Sequence, residues 1–572
     1  MKNLEIAKIF YEIADILEIQ GIDFKPRAYR KAAKNIESMP QDIEELHKKN
    51  KLEEIPGVGE HIAKKIEEII ETGKLKYLEK IRKQVPGHLN ELLKVQSIGP
   101  KKAKQLHDKL GVTTLKDLED AAKSGKIRKL DGFGETSELD ILKGIEIYKK
   151  GKERIPLGFA LPIARELEHI LTQLKDTSKV LVAGSLRRRK STIGDLDVLV
   201  ASKQPEKIMD FVTAMKNVQR VLSRGTTKSS VILENGIQVD LRVVHDSDFG
   251  AASQYFTGSK EHGIKTRIIA NQLGYKLSEY GLFNKNNKKV AGETEEEIYK
   301  KLGMQCPEPE LREDRGEIEL AQKNRLPKII PYNAVKGDFH VHSNYSDGSA
   351  SIEEVAKECI RLGYEYVCIA DHSKSTRIGN GLTEERLLKK CKEIDQINKK
   401  LKKIRILRGA EVDILANGEL DYDNKILKQL DIVIIAVHSK FKMPKEEMTN
   451  RILKAMDNTY VNILAHPTGV YYGMREAYEI DFPRIFEKAA EKNICLEINC
   501  SAPRMDLSDI NIKAAIDNNV KLAIGTDTHA LEQLKTMEIG VAQARRGWAT
   551  KKDILNTRTL KELGKYFNKI II

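Results

Sequence analysis

Long hydrophobic runs are missing from this sequence. No apolar stretch approaches the roughly 18–20 residues that cross a bilayer. The opening nineteen residues form an amphipathic pattern that carries Glu5, Glu12, Asp15 and Glu18, unlike a signal peptide. No membrane partner is expected, and the expected compartment is the cytoplasm. Cysteine is scarce: Cys306, Cys359, Cys368, Cys391, Cys495 and Cys500 all fall in the second half without Cys-x-x-Cys spacing, which speaks against a disulfide framework or a zinc ribbon and leaves buried thiols. Gly/Ser, Gln/Asn and Pro tracts are absent too, which excludes a fibrous or disordered chain. What is present is 40% hydrophobic and 32% charged residues over 572 positions, too many for one core and enough for about three to five domains. The net charge of +14 is spread along the chain, so it is compatible with a nucleic-acid polyanion without requiring one.

The hydrophobic period changes along the chain. Residues 1–150 read as short amphipathic helices broken by Gly, with Ile62, Ile66, Ile69 and Ile70 at helical spacing. From about Lys179 strands begin, and Val231-Ile232-Leu233 is joined through Asn235-Gly236 to Ile237–Leu241, a hairpin signal. A mixed stretch after Gly250 leads to a charged, Pro-containing segment read as a linker at 321–335. Beyond it seven strand-like runs alternate with helical ones: Asp338–His342, Tyr366–Asp371, Ile404–Val412, Ile432–His438, Val461–His466, Cys495–Asn499 and Leu522–Asp527. Such a repeat predicts a parallel sheet or barrel.

In the helical arm, Ile55-Pro56-Gly57-Val58-Gly59-Glu60-His61 places a Gly-x-Gly turn between two helices, where free amides at a helix start can hold a phosphate. One such turn would serve equally to join packed helices. The pattern returns at Ile98-Gly99-Pro100-Lys101-Lys102 and more loosely at Leu130–Gly134, which favours a shared role: nonspecific, salt-sensitive binding of DNA phosphates. Phe24-Lys25-Pro26-Arg27-Ala28-Tyr29-Arg30, with Gly57-Val58-Gly59 and Ala63-Lys64-Lys65-Ile66, resembles the N-terminal lyase domain of X-family (polymerase beta-like) DNA polymerases. The resemblance implies that Lys65 forms a Schiff base with an abasic deoxyribose, that Lys25 and Tyr29 attend the phosphate, and that monovalent cations sit at the helix-hairpin-helix turns. His61 stands where the family has another lysine. Lys25 and Lys64 are expected to lower the pKa of Lys65, although Lys64-Lys65 also reads as an ordinary solvated face.

Gly184-Ser185-Leu186-Arg187-Arg188 precedes Gly194-Asp195-Leu196-Asp197-Val198. In a strand, Asp195 and Asp197 share a face, and Asp240 of the hairpin can join them. Three such carboxylates can hold two Mg²⁺ ions about 3.5–4 Å apart, with Gly184, Ser185 and Arg188 toward phosphate oxygens. A bare Asp-x-Asp is common on solvent-facing strands; the Gly-Ser prefix separates this one. The stretch 155–320 is similar to the X-family nucleotidyltransferase core. That similarity implies a sugar-sensing role for Tyr255-Phe256-Thr257-Gly258, a place for Arg267 near the templating base, and nucleotide contacts at Gly194. Where the family usually has an asparagine touching the incoming base, this chain has Gly263.

In 336–530, histidines and carboxylates repeatedly end the apolar runs. His340, His342, Asp347, His372, Glu411, His438, His466, Asp527 and His529 can face one barrel mouth, and such N/O ligands suit a multinuclear Zn²⁺, Mn²⁺ or Fe site. This segment resembles the polymerase-and-histidinol-phosphatase (PHP) domain, a distorted seven-stranded barrel with three metals. The resemblance groups His340, His342, Glu411 and Asp527 on one metal, Glu411, His438 and His466 on a second, and Asp347, His372 and His529 on the third. It implies metal-dependent 3′→5′ removal of nucleotides, with abasic-site or 3′-phosphate processing as extensions.

The expected fold class is multidomain: an all-α helix-hairpin-helix arm, an α+β nucleotidyltransferase palm with thumb, and an α/β PHP barrel. The expected divisions are 1–88, 89–150, 151–245, 246–320, the linker 321–335, and 336–572. The expectation is a monomeric gap-filling repair polymerase with Mg²⁺ or Mn²⁺ at the palm. Its partners would be gapped or nicked duplex DNA and deoxynucleoside triphosphates, and it would associate with the nucleoid through DNA. Two other readings stand beside it, a histidinol-phosphatase-like enzyme of small molecules with a DNA-binding arm, and a noncatalytic gap-binding scaffold.

Overall fold

Glycine cuts the first part of the chain into short helices. The computed structural model describes residues 2–567, apart from 23, 39–42, 56, 83–91, 93–94, 96–97, 136, 143, 146–153 and 473. The helices Glu60–Thr72 and Pro100–Leu110 each end at a left-handed glycine, Gly73 and Gly111, which relieves the last turn of steric conflict. Their apolar faces meet those of Lys2–Ile19 and Lys25–Ser38, where Phe10, Ile13, Ile36, Ile66 and Leu106 are buried in a single core. That core runs from Ile6 to Ile145, through both expected arm segments.

The next sheet has five strands in the order Lys179–Val182, Asp195–Ala201, Gln238–Val244, Lys228–Leu233, Val218–Arg224. Its two central strands are parallel, and the Asn235-Gly236 turn closes the hairpin with Gly236 at φ 83°. Alternation sends Leu196, Val198, Val200, Val239 and Leu241 into a core under the Leu157–Thr172 helix. A three-stranded sheet with Phe249–Thr257 and Lys260–Gln272 forms the following unit, around Tyr299 and Ile318.

The last sheet has seven parallel strands in sequence order. It closes on itself where His342 N donates to Thr528 O (2.9 Å) and Asp527 N to His340 O (2.8 Å). All seven expected runs form strands, but several stop short: Ile432–Ala436 ends before His438, and Ile463–Leu464 before His466. His340 and Glu411 lie within strands, whereas His438, His466 and Asp527 lie just past the ladder; His466 and Asp527 have φ of 26° and 53°, costly for residues other than glycine.

The expected linker 321–335 is irregular after the Glu317–Gln322 helix but is bound down. Ile330 is buried in the barrel core, its N–H donates to Ala549 O, and its carbonyl accepts from Arg545. Palm and barrel also share a core, since Met505 and Ile539 pack with the palm residues, and a Cβ on Gly158 would come within 2.5 Å of Ala502 Cβ. No helix among the described residues is long and apolar enough to cross a membrane.

Two candidate metal centres and a helical arm

Parallel pairing of Asp195–Ala201 with Gln238–Val244 sets Asp197 directly opposite Asp240 and Asp195 opposite Gln238. Burial, and then the charges of Asp195 and Asp240, push Asp197 up to about 7. A cation between the three would relieve that repulsion, so the donor set suits divalent metal. Asp240 is oriented by Ser230 Oγ and by Gln238 Nε2 (3.0 Å). Gly184, at φ 59°, lets the next strand approach: a Cβ there would stand 2.0 Å from Asp197 Oδ2. Ser185 follows on the Gly184–Arg187 turn, and Gly194 leads into Asp195 with Arg154 Nη1 3.1 Å from where its Cβ would be. Asp197, Asp240, Arg242 and Phe256 line a cleft of about 80 Å³.

Arg188 is close enough for its charge to act on Asp197 but is already engaged: Nε donates to Glu313 (3.0 Å) and Nη1 to Thr257 O (2.5 Å). Tyr255 and Phe256 meet edge to face at 5.1 Å, with Arg267 5.7 Å from the Tyr255 ring and Arg242 4.7 Å from Phe256. A Cβ on Gly258 would come 3.0 Å from Arg188 Nη1, so this turn and the arginine fit each other closely. At Gly263 the nearest neighbour of an added Cβ is Arg267 Nη1 at 3.7 Å, which leaves ordinary room.

All nine expected barrel residues converge. Ligand atoms of His342, Asp347, His372 and His529 lie close enough for one ion, as do those of His340, His342 and Asp527, and of His372, Glu411 and His438. Glu411 Oε1 also faces His466 Nε2 (2.9 Å), and His340 Nε2 lies 3.5 Å from Glu411 Oε2. The grouping differs from the expected one in that His342 reaches the Asp347 set and His372 reaches Glu411, because both rings sit between neighbouring sets. His372 Nδ1 is 2.7 Å from Glu411 Oε2 without hydrogen-bond alignment, and His342 Nδ1, Asp347 Oδ1 and His466 Nδ1 are buried without hydrogen-bond partners. Buried polar atoms rarely stay unsatisfied, and metal ions would satisfy these.

Sequence reading missed the groups behind these ligands. Glu497 Oε1 lies 2.7 Å from His340 Nδ1, and Asp413 Oδ1 2.6 Å from His438 Nδ1, each leaving Nε2 turned to the cluster. Asp371 accepts from Ser343 N, Ser343 Oγ and Ser346 Oγ and pairs with the buried Lys390 (3.2 Å), fixing the loop that carries Asp347. Arg504 Nε sits 3.5 Å from Asp527 Oδ2. The available signal was a charged residue inside an apolar barrel strand, Cys495-Leu496-Glu497-Ile498.

In the arm, Lys65 is half-buried, its Nζ 3.2 Å from His61 O and 5.0 Å from the Tyr77 ring. Burial lowers its pKa; Glu68 opposes this and Lys25 adds to it. The expected help from Lys64 is absent: its ammonium turns to solvent and pairs with Glu60 (2.6 Å), being on another face of the helix. Tyr29 is buried between Phe10 (5.7 Å) and Tyr77 (6.4 Å), with burial raising its hydroxyl to about 12. Gly57, at φ 85°, makes the first turn, and Gly59 and Gly99 cap the two helices, leaving the amides at Glu60, His61, Lys101 and Lys102 at helix starts. His61 and Lys101 are exposed, and Lys102 lies 5.3 Å from the Phe133 ring.

These features define a polymerase of nucleotidyltransferase type joined to a metal-dependent phosphoesterase. Family models agree along the chain: helix-hairpin-helix domain at 1–75, SAM-like helix-hairpin-helix tandem at 89–146, DNA polymerase beta palm at 154–259, DNA polymerase beta thumb at 252–313 and PHP domain at 338–501. A Bacillus subtilis protein named DNA polymerase/3'-5' exonuclease PolX is 39% identical over 573 residues, 100% of each chain. DNA polymerase lambda of Arabidopsis thaliana is 25% identical over 54% of this chain and 62% of its own. A probable phosphatase of Caldanaerobacter subterraneus is 32% identical over 34% of this chain and 75% of its own. The chain belongs to the X-family DNA polymerases with a C-terminal PHP domain.

Proposed function

We propose that this protein fills short gaps in duplex DNA during repair and removes nucleotides 3′→5′ at a separate centre. The observations that support both are the pairing of Asp197 with Asp240 beside Asp195 in the palm, close enough for their charges to act on Asp197, and the converging His and carboxylate groups at the barrel mouth of the same chain. Mg²⁺ or Mn²⁺ suits the all-carboxylate set, and Zn²⁺, Mn²⁺ or Fe suits the His-rich one. When bound, such ions stabilise charge on the phosphoryl and leaving oxygens and make the attacking oxygen a better nucleophile.

The residues supply the rest. Ser230 and Gln238 hold Asp240 in its acceptor orientation. Gly184 and Ser185 offer amides, and Arg188 its guanidinium, to the triphosphate. Tyr255 and Phe256 crowd the sugar edge, Gly258 lets the chain pass Arg188, Arg267 approaches the template side, and Gly194 frees space before Asp195. In the barrel, Glu497 and Asp413 hold the outer nitrogens of His340 and His438, which keeps Nε2 available to the ions. The arm grips DNA phosphates through the Gly57-Gly59 and Gly99 helix starts, with Lys25, Tyr29, His61, Lys101 and Lys102 beside them and monovalent cations at the turns. Lys65, with its lowered pKa, is placed to attack an abasic aldehyde.

The test is a labelled primer on a one-nucleotide-gapped duplex with Mn²⁺, with and without deoxynucleotides. The expected outcome is extension with nucleotides and shortening without them. A chain that hydrolyses only small phosphomonoesters, or binds the gap without chemistry once metals are shown to be bound, contradicts the proposal. Borohydride should trap Lys65 on abasic DNA, and undiminished trapping by Lys65→Ala rejects its role.

A further inference from the structure

Arg546 ends the barrel helix Met537–Arg546, and its side chain is almost fully buried away from the barrel mouth. Its Nη1 donates to the backbone carbonyl of Arg188 (2.5 Å) and to Glu313 Oε1 (2.9 Å), and its Nη2 to Asp509 Oδ2 (2.5 Å). The same Glu313 oxygen accepts from Arg188 Nε (3.0 Å). One thumb carboxylate thus lies between a palm arginine and a barrel arginine, and the barrel arginine grips that palm residue a second time through its carbonyl. Next to this contact Gln543 Nε2 reaches Arg189 O at 3.5 Å, and Arg315 shares Asp509 at 3.1 Å. The surroundings cannot easily give: Gly158 is pressed against Ala502, and Met505 and Ile539 complete the palm core.

We infer that the PHP domain positions the triphosphate-binding arginine of the polymerase site, with Arg546 and Glu313 as the positioning pair. The inference rests on the proposed role of Arg188. Neither Arg546 nor Glu313 touches the nucleotide. They fix where the Arg188 guanidinium stands, with Nε and Nη1 committed to Glu313 and Thr257 and Nη2 left without a protein partner among the described residues. Removal of Arg546 takes away a charge-assisted bond to Glu313 and frees the Arg188 carbonyl, so the nucleotide must organise its own arginine on binding. The loss appears in nucleotide binding rather than in the chemical step, and the barrel's own reaction is untouched because none of its ligands contacts Arg546.

The experiment is steady-state gap filling by the full-length protein, alongside nuclease rate on the same preparations. Arg546→Gln is expected to raise KM for the incoming nucleotide roughly tenfold with kcat within about twofold, while nuclease rate stays within about twofold. Glu313→Gln, on the thumb, should give the same split, and the double variant should be no worse than either single one, since both act through Arg188. Arg188→Gln, run in parallel, separates the two claims. If it leaves KM unchanged, the role of Arg188 is wrong. If it raises KM while both Arg546→Gln and Glu313→Gln leave KM alone, or while their effects add, the positioning pair is wrong. A loss of nuclease in Arg546→Gln would report a damaged barrel, and Glu313→Gln then decides alone.

Discussion

Glu497 illustrates how a metal centre is prepared by a residue that need not touch the metal. It is buried, takes up the Nδ1 side of His340 and also accepts from His466 N (2.8 Å), so one carboxylate sets two ligand-bearing residues. Glu497→Gln is expected to lower nuclease activity or metal affinity about 10–100-fold and to leave gap filling unchanged, measured by metal titration of both activities. Glu411 carries the opposite load. Burial alone would raise its pKa, but His438, His372 and His340 together hold it well below the usual carboxylate range. Most of the nine candidate ligands close an apolar run, a pattern that reads directly from sequence, whereas Asp347 sits in the polar loop after His342. The roles of Glu497, Asp413 and Asp371 were not legible, since a carboxylate within or just beyond a strand looks the same in sequence whether it orients a neighbouring group or faces solvent. Lys64 was misread for a related reason: adjacency in sequence puts it on a different helix face from Lys65.

At the level of elements, both centres combine residues on strands with the turns beside them. In the palm the chain leaves Lys179–Val182, turns at Gly184, and returns as Asp195–Ala201, so that the turn lies on the Asp197 carboxylate. Gly184→Ala introduces a Cβ into the space of Asp197 Oδ2 and forces a positive φ on alanine. Gap filling should fall by tenfold or more while the melting temperature falls by only a few degrees, in line with a local cost of about 1–3 kcal/mol. Unchanged incorporation would show that the turn does not set Asp197. In the barrel the expected runs overshot the strands because sequence shows apolar continuity, whereas pairing stops where the backbone must turn a ligand inward, as at His466 and Asp527. The segment 321–335 was read as a linker from its charge and prolines; Ile329-Ile330 was the apolar signal that it packs, and Ile330 is buried in the barrel core.

For the whole molecule, polar contacts between segments far apart in sequence join palm, thumb and barrel. Glu295 of the thumb accepts from Arg187 of the palm (2.6 Å) and from Arg312 (2.5 Å). Burial works to raise its pKa, but the two arginines prevail and bring it to about 2, below its ordinary value of 4.5. A depressed carboxylate contributes stability above its unfolded pKa and loses it as the folded pKa is approached. The Glu295 contribution is therefore present above pH 4.5 and lost between there and about pH 2. Glu295→Gln should destabilise the protein by about 3 kcal/mol at neutral pH and flatten the acid limb of melting temperature against pH. An acid limb as steep as in the wild type would remove Glu295 from the account. Such pairings were not readable from sequence, because charge patterning does not say which arginine meets which carboxylate over more than a hundred residues.

The central claim is that one chain holds two independent metal-dependent centres. The direct test is a primer assay with Asp240→Ala and His342→Ala beside the wild type, each with and without deoxynucleotides. Asp240→Ala is expected to lose extension and keep shortening, and His342→Ala to do the reverse. Loss of both activities from either substitution would contradict that claim.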